Sequence, residues 1–311
     1  MDRFEGHLSA QHHDFFSVFL PASGVFLSAA LSGGLRRQLA QQGLSLVTGD
    51  RVTLDRDSDA TGDAVILSLL PRRSLLSRVE AGARGRSQPL AANADLMLLC
   101  TSMNEEFNMR RIERYLAMAD GAGMPAVLLL TKADLVENAE DWLAAVQSLH
   151  PPRKSIPCSA ISGLGIAEVR SFLSGGETAV LLGSSGVGKS TLINALLGDD
   201  RLRTRDISQY KDKGRHTTTH RELIPLQSGG FLIDSPGIRE LKLDDSDVSA
   251  AFGDITALAV ACKYRNCSHQ TEPGCAVKKA VSEGALTAQR LHSYLKLIQE
   301  ENRRSKSRKR G

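Results

Sequence analysis

Gly183-Ser184-Ser185-Gly186-Val187-Gly188-Lys189-Ser190 fits the pattern G-x-x-x-x-G-K-S/T in full. Glycines at these places let the backbone curl so that successive N–H groups face phosphate oxygens, and a helix starting at the end of the loop adds its positive dipole. In such a loop the Lys189 ammonium reaches the β- and γ-phosphates of a nucleoside triphosphate, where it also serves catalysis, and the Ser190 hydroxyl meets Mg2+. Residues 183–191, ending at Thr191, therefore form a candidate phosphate site. A chance glycine-rich turn would lack the flanks seen here: apolar Ala179-Val180-Leu181-Leu182 before, and helically spaced Leu192, Ile193, Leu196 and Leu197 after.

Further downstream, Asp234-Ser235-Pro236-Gly237 follows the apolar run Phe231-Leu232-Ile233. A carboxylate at such a strand end can hold Mg2+ through a water, and the Gly237 N–H can meet the γ-phosphate. Between the two motifs lies Lys211-Asp212-Lys213-Gly214-Arg215-His216-Thr217-Thr218-Thr219-His220. Taken alone this is a hydrophilic surface loop. Placed between a phosphate loop and an Asp-x-x-Gly, it is a candidate switch, in which a threonine completes the Mg2+ shell only when the γ-phosphate is present.

Ahead of the phosphate loop, Thr131-Lys132-Ala133-Asp134 follows the apolar run Leu128-Leu129-Leu130. A carboxylate at the position of Asp134 accepts from the N1–H and 2-amino group of guanine, a donor pair adenine lacks, while the Lys132 stem packs on the base. Thr131 stands where such loops usually carry asparagine. Ser159 and Ala160 in Cys158-Ser159-Ala160 suit a loop whose Ala160 N–H approaches guanine O6.

Cys262-x4-Cys267-x-His269-x5-Cys275 gathers three of the five cysteines with a histidine. Three sulfurs and an imidazole close a tetrahedron, so a zinc there would be structural. The alternative is free thiols beside a surface histidine. Cys100 and Cys158 stand singly in apolar runs and read as inert buried thiols.

The elements needed to position these groups follow from the patterning. Residues 15–20, 25–31, 44–47, 51–54 and 64–70 read as short strands between turn signals such as Ser32-Gly33-Gly34 and Thr48-Gly49-Asp50, which suggests a small β-barrel over 1–72. Residues 73–88 read as a basic linker. From 89 to 245, strand-like runs at 94–101, 126–130, 179–182 and 231–233 alternate with helical runs at 109–119, 140–148, 166–172 and 189–197, the signature of a parallel α/β sheet. Residues 246–311 read as mainly helical around the cysteine cluster, with a helix at 286–301 and a basic tail from Arg303 to Arg310. That tail either attracts polyanions such as RNA or solubilises a helix end. No apolar run reaches the roughly 20 residues of a membrane span, and no secretion signal is evident, so a cytoplasmic protein, expected to be a monomer, is the default.

The base-reading loop and Ser-Ala precede the phosphate loop, threonine loop and Asp-x-x-Gly, the reverse of the usual order. A parallel sheet tolerates such a permutation when the old termini lie close together. With Gly34-Leu35-Arg36, Gly49-Asp50-Arg51-Val52, Leu70-Pro71-Arg72-Arg73-Ser74, Ala91-Ala92-Asn93-Ala94-Asp95 and Gly214-Arg215-His216-Thr217-Thr218-Thr219, the chain resembles the circularly permuted ribosome small-subunit-dependent GTPase A family, bacterial assembly factors for the 30S subunit. The resemblance implies an OB-fold barrel, a permuted GTPase domain binding GTP and GDP, a zinc domain whose ligands are Cys262, Cys267, His269 and Cys275, and 16S rRNA as partner. Ile238 stands where many GTPases place a water-orienting glutamine. Hydrolysis is therefore expected to depend on the subunit ordering the threonine loop, with His216 turned to the water and Thr218 to Mg2+. His216 also suits an RNA contact or an exposed loop position. Two other classes stay open: a nucleotide-gated RNA-binding module in which hydrolysis is incidental, and a P-loop ATPase or kinase, against which Asp134 speaks.

Overall fold

In a computed structural model of the chain, the described residues are 3–13, 15–58, 60, 62–79, 87–147, 149, 153–198, 221–234, 252–288, 290–292, 294–295 and 298. The first unit is a closed barrel of β1 (Phe4–Gln11), β2 (Phe16–Leu20), β3 (Val25–Leu31), β4 (Arg51–Leu54) and β5 (Ala64–Leu69), in the order β1-β2-β3-β5-β4. Only the β3–β5 pair is parallel. That order, with a helix between β3 and β4, is the OB-fold arrangement. Leu8, Val18, Val52, Leu54 and Ile66 fill the barrel completely out of contact with water.

Helix α1 (Gly33–Gln42) occupies a stretch expected to be a turn. Ser32 caps it, its Oγ accepting from the Leu35 N–H, and Gly43 ends it in the left-handed conformation at φ 63°. Its buried face, Leu35 and Leu39, plugs the barrel. Residues 44–47 do not form the expected strand. The Val47 N–H donates to Asp50 Oδ2 at 2.8 Å and the Asp50 N–H to the Val47 carbonyl at 3.0 Å, closing a turn around Gly49 instead. Part of the stretch read as a linker is also paired: β6 (Leu75–Val79) runs antiparallel to β7 (Ser87–Ala92).

The central unit is a six-stranded sheet in the order β10-β9-β8-β11-β13-β12. Its strands are β8 (Leu96–Ser102), β9 (Ala126–Thr131), β10 (Lys154–Pro157), β11 (Thr178–Gly183), β12 (Glu222–Pro225) and β13 (Phe231–Asp234). All neighbours are parallel except β12, a short antiparallel edge strand that the sequence patterning did not reveal. Helices α2 (Met109–Gly121), α3 (Glu140–Gln147), α4 (Ile166–Ser171) and α5 (Lys189–Leu197) cover the sheet. One apolar layer runs through Met97, Leu99, Leu128, Val180 and Ile233 with α2, and the other through Leu98, Leu129, Leu181 and Leu232 with α4 and α5. Alternate strand residues thus feed opposite faces, as a sheet buried on both sides requires.

The last unit joins the first of those layers. Phe252, Ile255, Val277, Ala280 and Leu286, contributed by α6 (Gly253–Ala259), α7 (Ala276–Ser282) and their flanks, pack against it. Arg290, 5 % exposed, lays its guanidinium 4.1 Å from the Phe252 ring centre and donates to both Asp254 oxygens at 3.1 and 3.2 Å.

The barrel is welded to the sheet along β12 and β13. Ser9 Oγ donates to the Leu223 carbonyl at 2.9 Å and Thr48 Oγ1 to the Arg221 carbonyl at 3.4 Å. His7 stacks on Phe231 at 4.8 Å between ring centres. Gly49 is required by proximity: a Cβ there would lie 2.2 Å from the Ala92 carbonyl oxygen and 2.9 Å from Ile233 Cδ1. Asn93, at φ 56°, donates to the Gly49 carbonyl at 2.9 Å and accepts from the Arg73 N–H at 2.8 Å. Beside it the fully buried Asp50 takes both its carboxylate oxygens to Arg72, at 2.7 and 2.8 Å.

Candidate functional site

Because β8, β9, β10, β11 and β13 are parallel, their C-terminal ends lie along one edge of the sheet, where open α/β folds bind ligands. The edge gathers Thr131, Lys132 and Asp134 after β9, Ser159 and Ala160 after β10, the glycine loop after β11 and Asp234 at the end of β13. His216, Thr218 and Gly237, with the basic tail, lie outside the described residues.

The loop turns on three positive-φ glycines: Gly183 at 153°, Gly186 at 80° and Gly188 at 99°. Gly183 has no room for a side chain, since a Cβ would meet the Cys100 carbonyl oxygen at 2.6 Å and Val187 Cγ1 at 3.0 Å. Val187 is buried beneath the loop, whereas Ser185, Gly186, Ser190 and Thr191 are exposed. Gly188 opens α5 with no side-chain cap, so the N–H groups of the first turn are left for an anion. Lys189 folds back over the loop and donates to the Gly183 and Ser184 carbonyls, both at 2.8 Å. Burial lowers its pKa from the ordinary value, opposed by the nearby Asp234 carboxylate. An arriving phosphate supplies the negative charge that desolvated ammonium favours.

Thr131, 5 % exposed, has its hydroxyl 2.6 Å from the Val187 carbonyl and 3.2 Å from the Thr101 carbonyl. A hydroxyl has one proton, so the shorter bond takes it. Threonine thus makes a direct bond between the loop after β9 and the glycine loop. Lys132 sits at φ 62°, and Ala133–Leu135 form a single 3-10 turn that leaves Asp134 exposed at the edge. The Ala133 N–H donates to the Cys158 carbonyl at 3.1 Å, tying this turn to the Ser-Ala loop. Ser159 is wholly buried and its Oγ accepts from the Ile161 and Ser162 N–H groups at 3.2 and 3.1 Å. Its side chain therefore shapes the loop, while Ala160 is half-buried at the surface.

Two features at this edge had no signal in the sequence. Glu106, in the loop after β8, brings Oε2 to 4.0 Å from where a Cβ on Gly186 would stand. Asn104 shapes the same loop, its Oδ1 accepting from Ser102 Oγ at 2.7 Å and the Glu106 N–H at 3.1 Å. Cys100 and Cys158 are buried free thiols, as expected. Burial raises both pKa values, that of Cys158 to about 12, so neither is a nucleophile at neutral pH.

In the C-terminal unit the donor atoms of Cys262, Cys267, His269 and Cys275 all lie within 4.8 Å of one another. Cys262 Sγ is 3.9 Å from Cys275 Sγ and 3.6 Å from His269 Nδ1, and the latter is 3.4 Å from Cys275 Sγ. Zinc bonds of about 2.3 Å to sulfur and about 2.0 Å to nitrogen, at tetrahedral angles, give edges of roughly 3.8 and 3.5 Å. The residues fit that ion. Glu272 accepts from the Ser268, Gln270 and Thr271 N–H groups at 2.9 to 3.2 Å, which folds the turn carrying His269.

A phosphate loop ending the fourth strand of the central sheet in chain order, the Thr131–Asp134 and Ser159–Ala160 loops on strands earlier in the chain, an OB barrel before them and a Cys3His knuckle after them define a circularly permuted P-loop GTPase with two accessory units. A family model described as RsgA GTPase matches residues 69–244, and the chain belongs to that family. It is 43% identical over 295 residues to a small ribosomal subunit biogenesis GTPase RsgA 2 of Lactiplantibacillus plantarum, covering 95% of this chain and 82% of that protein. Against an RsgA of Methanosarcina acetivorans it is 42% identical over 303 residues, with 97% and 80% covered. Two solved structures have the same fold. YjeQ from Thermotoga maritima superposes with a TM-score of 0.72 at 26% identity over 96% of this chain and 98% of that one. YloQ, described as a circularly permuted GTPase, gives 0.69 at 23% over 97% and 96%.

Proposed function

We propose that this protein is a cytoplasmic, monomeric GTPase that binds the small ribosomal subunit through 16S rRNA and hydrolyses GTP during late 30S assembly. What supports the reading most directly is the single edge at which the glycine loop, Asp134 and Asp234 converge, in a chain whose relatives carry the name small ribosomal subunit biogenesis GTPase. Residues 183–191 hold the phosphates, with Lys189 on the β- and γ-groups. Ser190, Thr218 and, through a water, Asp234 hold Mg2+, and Gly237 meets the γ-phosphate. Lys132, Asp134, Ser159 and Ala160 shape and read the guanine site, with Thr131 bracing it. Mg2+ bound there neutralises charge developing between the β- and γ-phosphates. A structural zinc on Cys262, Cys267, His269 and Cys275 fixes the C-terminal unit. The described residues include no helix long and apolar enough to cross a membrane.

Hydrolysis with and without purified 30S subunits, with ATP as the control nucleotide, tests this. The expected result is turnover specific to GTP and stimulated many-fold by subunits. Residual turnover that subunits leave unchanged would favour a nucleotide-gated RNA-binding module instead. Asp134→Asn should shift preference from GTP towards xanthosine triphosphate, and His216→Ala with undiminished subunit-stimulated turnover would remove His216 from the water-activating role. The domain limits we assign are 1–72, 73–88, 89–245 and 246–311, the second now including a paired strand.

A further inference from the structure

We infer that two barrel hydroxyls, those of Ser9 and Thr48, are positioning residues for the Mg2+ carboxylate Asp234, an inference that rests on the GTPase reading above. Both are buried, at 1 % and 5 % exposed. Their acceptors are the carbonyls of Leu223 and Arg221, residues more than 170 positions away along the chain. Those carbonyls flank Glu222, and Glu222 stands directly opposite Asp234 in the β12–β13 register. Backbone polar groups alternate in direction along a strand. The two carbonyls turned to the barrel therefore leave those of Glu222 turned to β13, where they fix the end of the strand that carries Asp234.

The Ser9 bond, at 2.9 Å, is well formed, whereas that of Thr48, at 3.4 Å, is long, so Ser9 carries more of the effect. The same seam restrains β13 from the side. Phe231 lies between His7 and Phe19, at 4.8 and 5.9 Å between ring centres, and Gly49 abuts Ile233. Asp234 in turn acts electrostatically on Lys189, which places its charge at the phosphate loop. A misplacement of about 1 Å in such a group can cost on the order of 10²-fold in rate. The barrel is thus a support of the catalytic edge.

The test uses the full-length, zinc-loaded protein and basal GTP hydrolysis over a Mg2+ titration, with GDP affinity in EDTA measured alongside. Ser9→Ala/Thr48→Val should need about fivefold more Mg2+ for half-maximal turnover, the shift that losing one to two ordinary hydrogen bonds produces. Its kcat should fall, and its GDP affinity in EDTA should stay at the unsubstituted value. Ser9→Ala alone should give most of the shift, and Ser9→Thr, which keeps the hydroxyl on a strand-favouring residue, should restore it. Thr53→Val serves as the structural control. It removes a bond internal to the barrel, Thr53 Oγ1 to Ser68 Oγ at 2.6 Å, and should lower the melting temperature without moving the Mg2+ requirement. A folded double variant with an unshifted Mg2+ curve would overturn the inference, as would an equal shift in Thr53→Val. No Mg2+-dependent GTP turnover in the unsubstituted protein, either alone or with 30S subunits, would overturn the GTPase reading itself, and this inference with it.

Discussion

A single hydroxyl joins the loop after β9, which we propose reads the base, to the glycine loop proposed to hold the phosphates. Thr131 Oγ1 spends its proton on the Val187 carbonyl, a buried acceptor with a strong claim on one. Thr131→Val keeps the shape and deletes the donor, and leaving that acceptor unsatisfied costs about 1–3 kcal/mol. GDP affinity measured by titration calorimetry is expected to fall roughly 5- to 100-fold, while Thr131→Ser stays near the starting value. An unchanged affinity in a folded Thr131→Val protein would mean that the brace is redundant with the backbone ties around Ala133 and Cys158. The choice of threonine over asparagine is thus legible as chemistry only once the acceptor is seen. In sequence it is a one-residue departure from a pattern.

At the scale of elements, α7 depends on the knuckle that precedes it. Cys275 is at once a member of the Cys3His cluster and the N-cap of the helix, its Sγ accepting from the Lys278 N–H at 3.4 Å. A helix of 7 residues is too short to stand alone in water. Stripping zinc with a chelator should therefore melt α7 and release Val277 and Ala280 from the shared core. Limited proteolysis should then cut within residues 260–285 while GDP binding persists, and a cleavage pattern unaltered by chelation would contradict this. The cysteine cluster was visible in the sequence because ligand spacing is local, and so were the glycine loop and the alternation of β9, β11 and their helices. Helix α1 was hidden because Ser32-Gly33-Gly34 reads as a turn, although Ser32 is a cap and the hydrophobic face consists of only Leu35 and Leu39. Strand β12 was hidden for another reason. Four residues ending in proline carry little pattern, and its pairing is decided by β13 and by a barrel encoded some 200 residues earlier.

The whole molecule is held by contacts between units, and one of them titrates. Burial lowers the His7 pKa from 6.5, Arg51 and Arg73 push the same way, and Glu5 on its own strand opposes them. Folding therefore favours neutral His7 stacked on Phe231. That contribution is complete above the unfolded value of about 6.5 and is lost as pH falls below it through the lowered folded value. Melting temperatures between about pH 7.5 and about pH 5.5 should fall less steeply for His7→Phe, which keeps the stack and removes the titration. Identical slopes would place the acid sensitivity elsewhere. The seam around His7 has a further consequence, for solubility. An edge strand with free carbonyls is a template on which another chain can add a strand. Here Ser9 occupies the outward Leu223 carbonyl and the barrel wall lies over β12, so the central sheet has no open flank on that side. Removing the barrel would uncover that flank together with the aromatic face of Phe231, and leave a chain inclined to polymerise through its own sheet.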